Sequence, residues 1–248
     1  MRPNSQLQQR VEPSIRQPIP VCHDLSLARE LVGLHDSGAM WWPEERTLVV
    51  SDLHLEKAAS IAKSKGLMLP PYDTAATLEK LATLVDLFDP RRVICLGDSF
   101  HDCDSSERMP AAYLAMLTTM QLGREWIWIT GNHDPKIACH IQGERYNELS
   151  LNSLNFRHEP KQGVERGEIC GHLHPAAKVR RMGRTIRRFC FATNGNRLIL
   201  PAFGALTGGL NVMDKAFSDI FEARRFSVFM LGNGRLFPFT ASKLLADK

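Results

Sequence analysis

Four short clusters of aspartate, asparagine and histidine could carry chemistry in this chain. They are Ser51-Asp52-Leu53-His54, Gly97-Asp98, Gly131-Asn132-His133-Asp134 and Gly171-His172-Leu173-His174. Imidazole and carboxylate suit first-row divalent cations such as manganese, iron or zinc, and no cluster offers a thiolate. In an extended Asp-x-His segment alternate side chains share a face, so Asp52 and His54 can reach one ion together. His172 and His174 share that spacing. Asp98 lies between the two pairs, placed to bridge two ions about 3.5–4 Å apart. Taken singly, each cluster has a plain structural reading, since Asp and Asn after a strand are ordinary turn residues. Four of them in one order do not.

The elements that must position these clusters are strands. TLVV (Thr47–Val50), RVICL (Arg92–Leu96), WIWIT (Trp126–Thr130) and the segment ending at Cys170 are rich in Val, Ile and Trp. Each runs directly into one cluster. Ligands of open α/β sheets bind outside the carboxyl ends of strands, so the four ends should converge. Between them lie helical patterns. Ala75, Leu78, Leu81, Ala82, Val85 and Phe88 recur at helical spacing, with Asp73 as the expected cap and Pro90 as the stop. A second helix is expected from about Ser106 to Leu122, ended by Gly123. Strand–helix alternation gives an α/β fold. The last third reads as hairpins, Arg187–Phe191 with Arg197–Leu200 around Asn194-Gly195, and Phe226–Leu231 with Leu236–Phe239 around Asn233-Gly234.

Composition excludes several classes. The chain has 248 residues, 31 Lys and Arg against 27 Asp and Glu, a net charge of +4, and 44% hydrophobic residues. Those values fit a soluble globular protein and not a disordered, collagen-like or disulfide-scaffold chain. We expect a loose arm over residues 1–20 and a single domain over 21–248. Six cysteines with no C-x-x-C pair point to free thiols in a reducing compartment. No apolar run approaches the roughly 18 residues of a membrane span, and no leader-like segment opens the chain, so a cytoplasmic location without membrane contact is expected.

The ordered set Asp52-x-His54, Gly97-Asp98, Gly131-Asn132-His133-Asp134 and Gly171-His172-x-His174 resembles the calcineurin-like metallophosphoesterase superfamily. The resemblance covers about residues 47–175. It implies a four-layer α/β/β/α sandwich with two mixed β-sheets and a centre for two divalent ions, manganese ahead of iron or zinc. It also implies a further histidine ligand. His158, in Phe156-Arg157-His158-Glu159-Pro160, is the best match, with Glu159 where the family has glycine and His140 as the runner-up. Carried over, Asp52, His54, Asp98 and His174 hold one ion, and Asp98, Asn132, His158 and His172 the other. His133 then donates a proton to the leaving oxygen, and Asp134 orients its imidazole.

Further motifs are similar to a narrower bacterial group, the ligase-associated DNA damage response endonucleases of the PdeM subfamily. These motifs are Pro70-Pro71-Tyr72-Asp73-Thr74, Ser99-Phe100-His101-Asp102, Pro175-Ala176-Ala177 and Leu200 through Val212. The group implies a DNA endonuclease acting with an ATP-dependent DNA ligase and a helicase in repair. His101 is expected to touch substrate, and Lys57 is either a phosphate contact or a solvated side chain. The basic stretch Lys178, Arg180, Arg181, Arg184, Arg187, Arg188 and Arg197 reads as a solvated hairpin face or a phosphate track. Arg180 and Arg181 are its expected substrate contacts. A phosphatase, a cyclic-nucleotide phosphodiesterase and a non-catalytic scaffold are the rival readings on the same fold.

Overall fold

Thr47–Val50, Arg92–Leu96 and Glu125–Ile129 are apolar along most of their length because both of their faces are buried. Leu48, Val50, Val93, Cys95, Trp126 and Trp128 face a helical layer. The alternate residues Val49, Ile94, Leu96, Ile127 and Ile129 face a second sheet. The period of two in a strand thus sorts one run of residues into two cores.

The computed structural model describes residues 22–66, 72–163, 165–222 and 225–247. In chain order the strands are β1 (His23–Leu27), β2 (Glu30–Leu34), β3 (Met40–Trp42), β4 (Thr47–Val50), β5 (Arg92–Leu96), β6 (Glu125–Ile129), β7 (Glu144–Tyr146) and β8 (Glu148–Leu151). They continue as β9 (Leu154–Arg157), β10 (Glu168–Cys170), β11 (Pro175–Arg181), β12 (Arg184–Thr193), β13 (Arg197–Ile199), β14 (Leu210–Asn211), β15 (Ser227–Gly232) and β16 (Arg235–Thr240). The α-helices are α1 (Lys57–Lys65), α2 (Asp73–Phe88) and α3 (Ala111–Gln121). The first sheet runs β1 to β7 in sequence order, antiparallel up to β4 and parallel from β4 to β7. The second has the order β14-β11-β12-β13-β10-β9-β8, with β15 on β12 and β16 on β15. Both sheets are mixed, as expected.

Helices α2 and α3 cover the outer face of the first sheet through Leu78, Leu81, Val85, Leu117 and Met120. The outer face of the second sheet packs Ala177, Val179, Val228 and Met230 against Phe217 and Phe221. The short 3₁₀ turns Lys215–Phe217 and Ala241–Lys243 lie in that layer. Among the described residues no helix is long and apolar enough to cross a membrane.

Several local expectations shift. The third strand begins one residue earlier than WIWIT and ends at Ile129. The helix expected from Ser106 starts at Ala111, because Pro110 sits in an extended conformation just before it. Ser106 Oγ instead accepts from the Ala138 amide at 3.0 Å, tying down a turn. Asp73 opens α2 but does not cap it. Its carboxylate accepts from the Ala58 amide at 3.0 Å and so caps the first turn of α1. The arm over residues 1–20 and Pro70-Pro71 lie outside the described residues. All six cysteines are free, with Cys95, Cys170 and Cys190 buried and Cys103 and Cys139 exposed.

Candidate metal centre

The carboxyl ends of β4, β5, β6, β9 and β10 meet at one edge of the sandwich. Each strand delivers its polar cluster there, which is the convergence the sequence predicts. The loops are tied together by their backbones: the His54 amide donates to the Asp98 carbonyl at 2.9 Å, and the Gly171 amide to the His158 carbonyl at 3.0 Å.

Three groups of donors result, of which His54, His101 and His133 form one without a carboxylate and the other two each include an aspartate. Of the two with an aspartate, Asp52, His54 and His174 form the first, and Asp98, His158 and His172 the second, with the donor atoms of each within 4.8 Å of one another. In the first, His174 Nε2 is 3.3 Å from both His54 Nε2 and Asp52 Oδ1. In the second, His158 Nε2 is 3.3 Å from Asp98 Oδ2, 3.2 Å from His172 Nδ1 and 3.0 Å from Asn132 Oδ1. All seven candidate ligands, His158 included, therefore lie at the centre. His140 does not, and pairs instead with Glu107 at 3.8 Å.

The donor set fits divalent cations. The Nδ1 atoms of His174 and His158 are turned to the carbonyls of Gly208 and Leu96, at 2.9 and 3.0 Å. Those bonds take the ring proton and leave each Nε2 lone pair aimed into its cluster. Lone pairs of His54 and His174 brought to 3.3 Å repel unless a positive charge lies between them. The electrostatics agree. Burial pushes the His54 ring down to about 3, which keeps it neutral and able to ligate. Burial opposes a charge on His158 too, but the Asp98 hydrogen bond and the Asp52 and Asp98 charges lift it to about 9. Burial also works against ionising Asp98, yet its bond to His158 and the neighbouring His133 hold it at about 2. The two carboxylates thus demand positive charge, and a cation meets that demand.

The backbone is bent to bring these donors in. Asp52, His54, Asp98, His172 and His174 all have positive φ, between 44° and 68°. Such conformations cost about 1–3 kcal/mol each and persist only where surrounding structure imposes them. Gly97 and Gly171 precede two of these residues for a steric reason. A Cβ on Gly97 would strike the His158 ring, and one on Gly171 would strike the Ser51 hydroxyl and the Asp52 carboxylate. Ser51 in turn donates its hydroxyl to Asp52.

His133 stands at the rim, its side chain 41% exposed. Its Nδ1 lies 2.9 Å from the His101 carbonyl, and its amide donates to Asp98 Oδ1 at 2.9 Å. The His101 ring lies close too, its Nδ1 3.3 Å from His54 Nδ1. Lys57, at the start of α1, is near enough for its charge to act on both His54 and His101.

Asp134 has a different place from the one expected. Its carboxylate is fully buried and accepts from the amides of Asp98, Ser99, Phe100 and Gly131 at 2.7–3.1 Å. It staples the β5 and β6 loops together, and the orientation of the His133 ring falls to the His101 carbonyl. Arg180 and Arg181 are not at the centre. They lie six and seven residues along β11 from His174, about 20 Å away at 3.3 Å per residue. Arg197 leaves the basic stretch altogether: it is 1% exposed and bonded to the buried Glu168, which also holds Arg157. The Gly208, Leu96 and His101 carbonyls were invisible in the sequence, because a backbone oxygen has no residue signature.

Residues 45–201 match the family described as Calcineurin-like phosphoesterase. Among solved structures, nuclease MPE of Pseudomonas putida is similar at 27% identity with a TM-score of 0.67, covering 88% of this chain and 100% of that one. Yfce, a phosphoesterase from E. coli, matches at 14% identity and a TM-score of 0.36 over 81% of this chain and 96% of that one. No curated protein matches the sequence. The family match spans more than half the chain and contains every residue of both donor clusters, so the chain belongs to the calcineurin-like phosphoesterases.

Proposed function

We propose that this chain is a phosphodiesterase that cuts DNA as an endonuclease, using two divalent cations, manganese ahead of iron or zinc. The observation that carries this reading is the pair of donor clusters at one rim with the His133 Nε2 beside them, 4.0 Å from Asp98 Oδ2. Asp52, His54, Asp98 and His174 hold one cation, and Asp98, Asn132, His158 and His172 the other. When bound, the cations supply a water of lowered pKa near neutral pH and offset charge on the phosphate oxygens. His133, protonated at Nε2 and held at Nδ1 by the His101 carbonyl, gives its proton to the leaving oxygen. His101 also steadies His54 through their ring nitrogens. Asp134 keeps the two loops in register through its four amide bonds.

DNA as substrate is supported by the similarity to a nuclease and by the chain's positive net charge. The motifs shared with ligase-associated endonucleases support a place in repair beside an ATP-dependent DNA ligase and a helicase. In this reading residues 21–248 work as one domain in the cytoplasm.

The test is cleavage of end-labelled single- and double-stranded DNA with Mn²⁺, in parallel with His133→Ala. Metal-dependent cutting that the variant loses supports the proposal. Intact DNA with hydrolysis of monoesters or cyclic nucleotides would instead favour a phosphatase or a cyclic-nucleotide phosphodiesterase. A protein that binds no metal would favour a scaffold.

A further inference from the structure

A cavity of about 340 Å³ lies on the second sheet, away from the metal centre. Its walls come from two hairpins. In the β11–β12 ribbon, Val179 pairs with Ile186, Arg181 with Arg184 and Ala177 with Arg188, so these side chains share one face. Arg180, Thr185, Lys178 and Arg187 take the other face. The first face meets the β15–β16 hairpin. Ile186, Phe237 and Phe239 give the cavity an apolar and aromatic floor, and Arg181, Arg188 and Arg235 rim it.

None of the lining residues is acidic. No carboxylate pairs with any of the three arginines among the described residues, whereas Arg187 on the opposite face is paired with Asp247. Arg235 lies over the Phe237 ring, 4.7 Å from its centroid. The surrounding sequence is equally one-sided: residues 169–213 hold seven Lys and Arg and no Asp or Glu. Three guanidiniums around one cavity repel one another, and an anion between them relieves that repulsion. A phosphate suits a planar guanidinium fork, and a flat base suits an aromatic floor.

We propose that this cavity holds one unstacked nucleotide of a single-stranded nucleic acid, with its phosphate on Arg181 and Arg188 and its base against Phe237 and Ile186. The inference rests on the DNA reading above and adds a second grip on the same strand. β11 leaves the centre directly after His174, and Val179 lies five residues on, about 17 Å at 3.3 Å per residue. At about 3.4 Å per stacked nucleotide, the two grips stand about five nucleotides apart.

The test measures anisotropy of labelled, phosphorothioate-linked (dT)12 with the Mn²⁺-loaded protein, alongside hydrolysis of bis(p-nitrophenyl) phosphate. The double variant Arg181→Gln/Arg188→Gln should bind at least about tenfold more weakly. It should also flatten the plot of log affinity against log salt by about 0.7, for the one phosphate that the two arginines hold. Phe237→Leu should weaken binding while leaving that slope unchanged. Small-diester hydrolysis should persist in every variant, which also shows that each is folded. Arg180→Gln, on the other face of the ribbon, is the control and should bind almost as the wild type does. An equal loss in Arg180→Gln and the cavity variants would mean general charge attraction and would overturn the proposal. Tighter binding of poly-glutamate than of (dT)12 would also overturn it, in favour of an acidic protein partner. DNA cleavage with cavity variants that bind normally sinks this inference alone. Small-diester hydrolysis with DNA neither bound nor cut sinks the DNA reading itself.

Discussion

The ring of His133 is held by the backbone carbonyl of His101, 2.9 Å from Nδ1, which leaves its Nε2 free beside the centre, 4.0 Å from Asp98 Oδ2. A proton donor in that place matters only when the leaving oxygen needs one. His133→Ala should therefore slow cleavage of DNA by about 10²–10⁴-fold. Hydrolysis of bis(p-nitrophenyl) phosphate, whose leaving group departs unprotonated, should fall far less. Steady-state rates on both substrates check this, with equal metal content in the two proteins as the control.

Asp98 ties its own donor cluster to the loop of the proton donor, through His158 Nε2 at 3.3 Å and the His133 amide at 2.9 Å. Asp98→Asn should lower bound Mn²⁺ from two per chain to one or none, and activity should fall with it. Elemental analysis after dialysis reads the first quantity. In the wild type, free Mn²⁺ at about 100 times its Kd should add about 2.7 kcal/mol of stability. The variant should show much less of that gain.

Glu168 is fully buried between Arg157 and Arg197, and its carboxylate also takes the Lys161 amide at 2.9 Å. Removing its charge leaves the buried Arg197 without a carboxylate and Arg157 with only the more exposed Glu148 and Glu165. Glu168→Gln should cost about 3–5 kcal/mol in chemical denaturation. The loop it holds follows His158, so a milder loss of metal affinity should accompany the loss of stability.

Lys80 sits over the Phe203 ring, 3.8 Å from its centroid, and donates to the Phe203 carbonyl at 3.2 Å. Burial pulls its pKa down to about 8 from an ordinary 10.5, against the opposing pull of Asp36. Between those values the unfolded chain holds the proton more than the folded one does, so stability rises with pH across that window. Below pH 8 the penalty is present in full. Thermal melts of the wild type and Lys80→Met should show the difference moving in favour of the wild type from about pH 8 to 10.5.

Gly171 and Gly183 both lack room for error of different kinds. A side chain on Gly171 collides with the Asp52 carboxylate, whereas at Gly183, with φ of 74°, nothing lies within 4 Å. Gly171→Ala should strip metal and activity. Gly183→Ala should cost about 1 kcal/mol in a melt and leave metal content alone.

The parallel strands and their polar ends were legible because a short apolar run followed by Asp, Asn or His is a local pattern. Asp52, His54, Asp98, Asn132, His172 and His174 all came from it, and His158 came from resemblance to a family. What was lost depended on distance in three dimensions. Asp134 adjoins His133 in the chain, but its side chain turns back to amides more than thirty residues away. Arg180 follows His174 closely in sequence, yet an extended strand carries it off. Arg197 resembled its basic neighbours until its ion pair with Glu168 was seen. Strands β1 to β3 carried no clear alternation and went unread.

Each donor cluster draws on both sheets. Asp52 and His54 come from the first sheet and His174 from the second, while Asp98 and Asn132 face His158 and His172 across the same seam. A cation held in either cluster is therefore a clasp across the sandwich, closing the edge where the strands end. Stripping it should let that edge part, so amide exchange in metal-free protein should quicken first around Gly97, Gly131 and Gly171. The far side of β10, fastened by Glu168 and its two arginines, should stay shut, and the molecule would open like a book from the side where it reads its substrate.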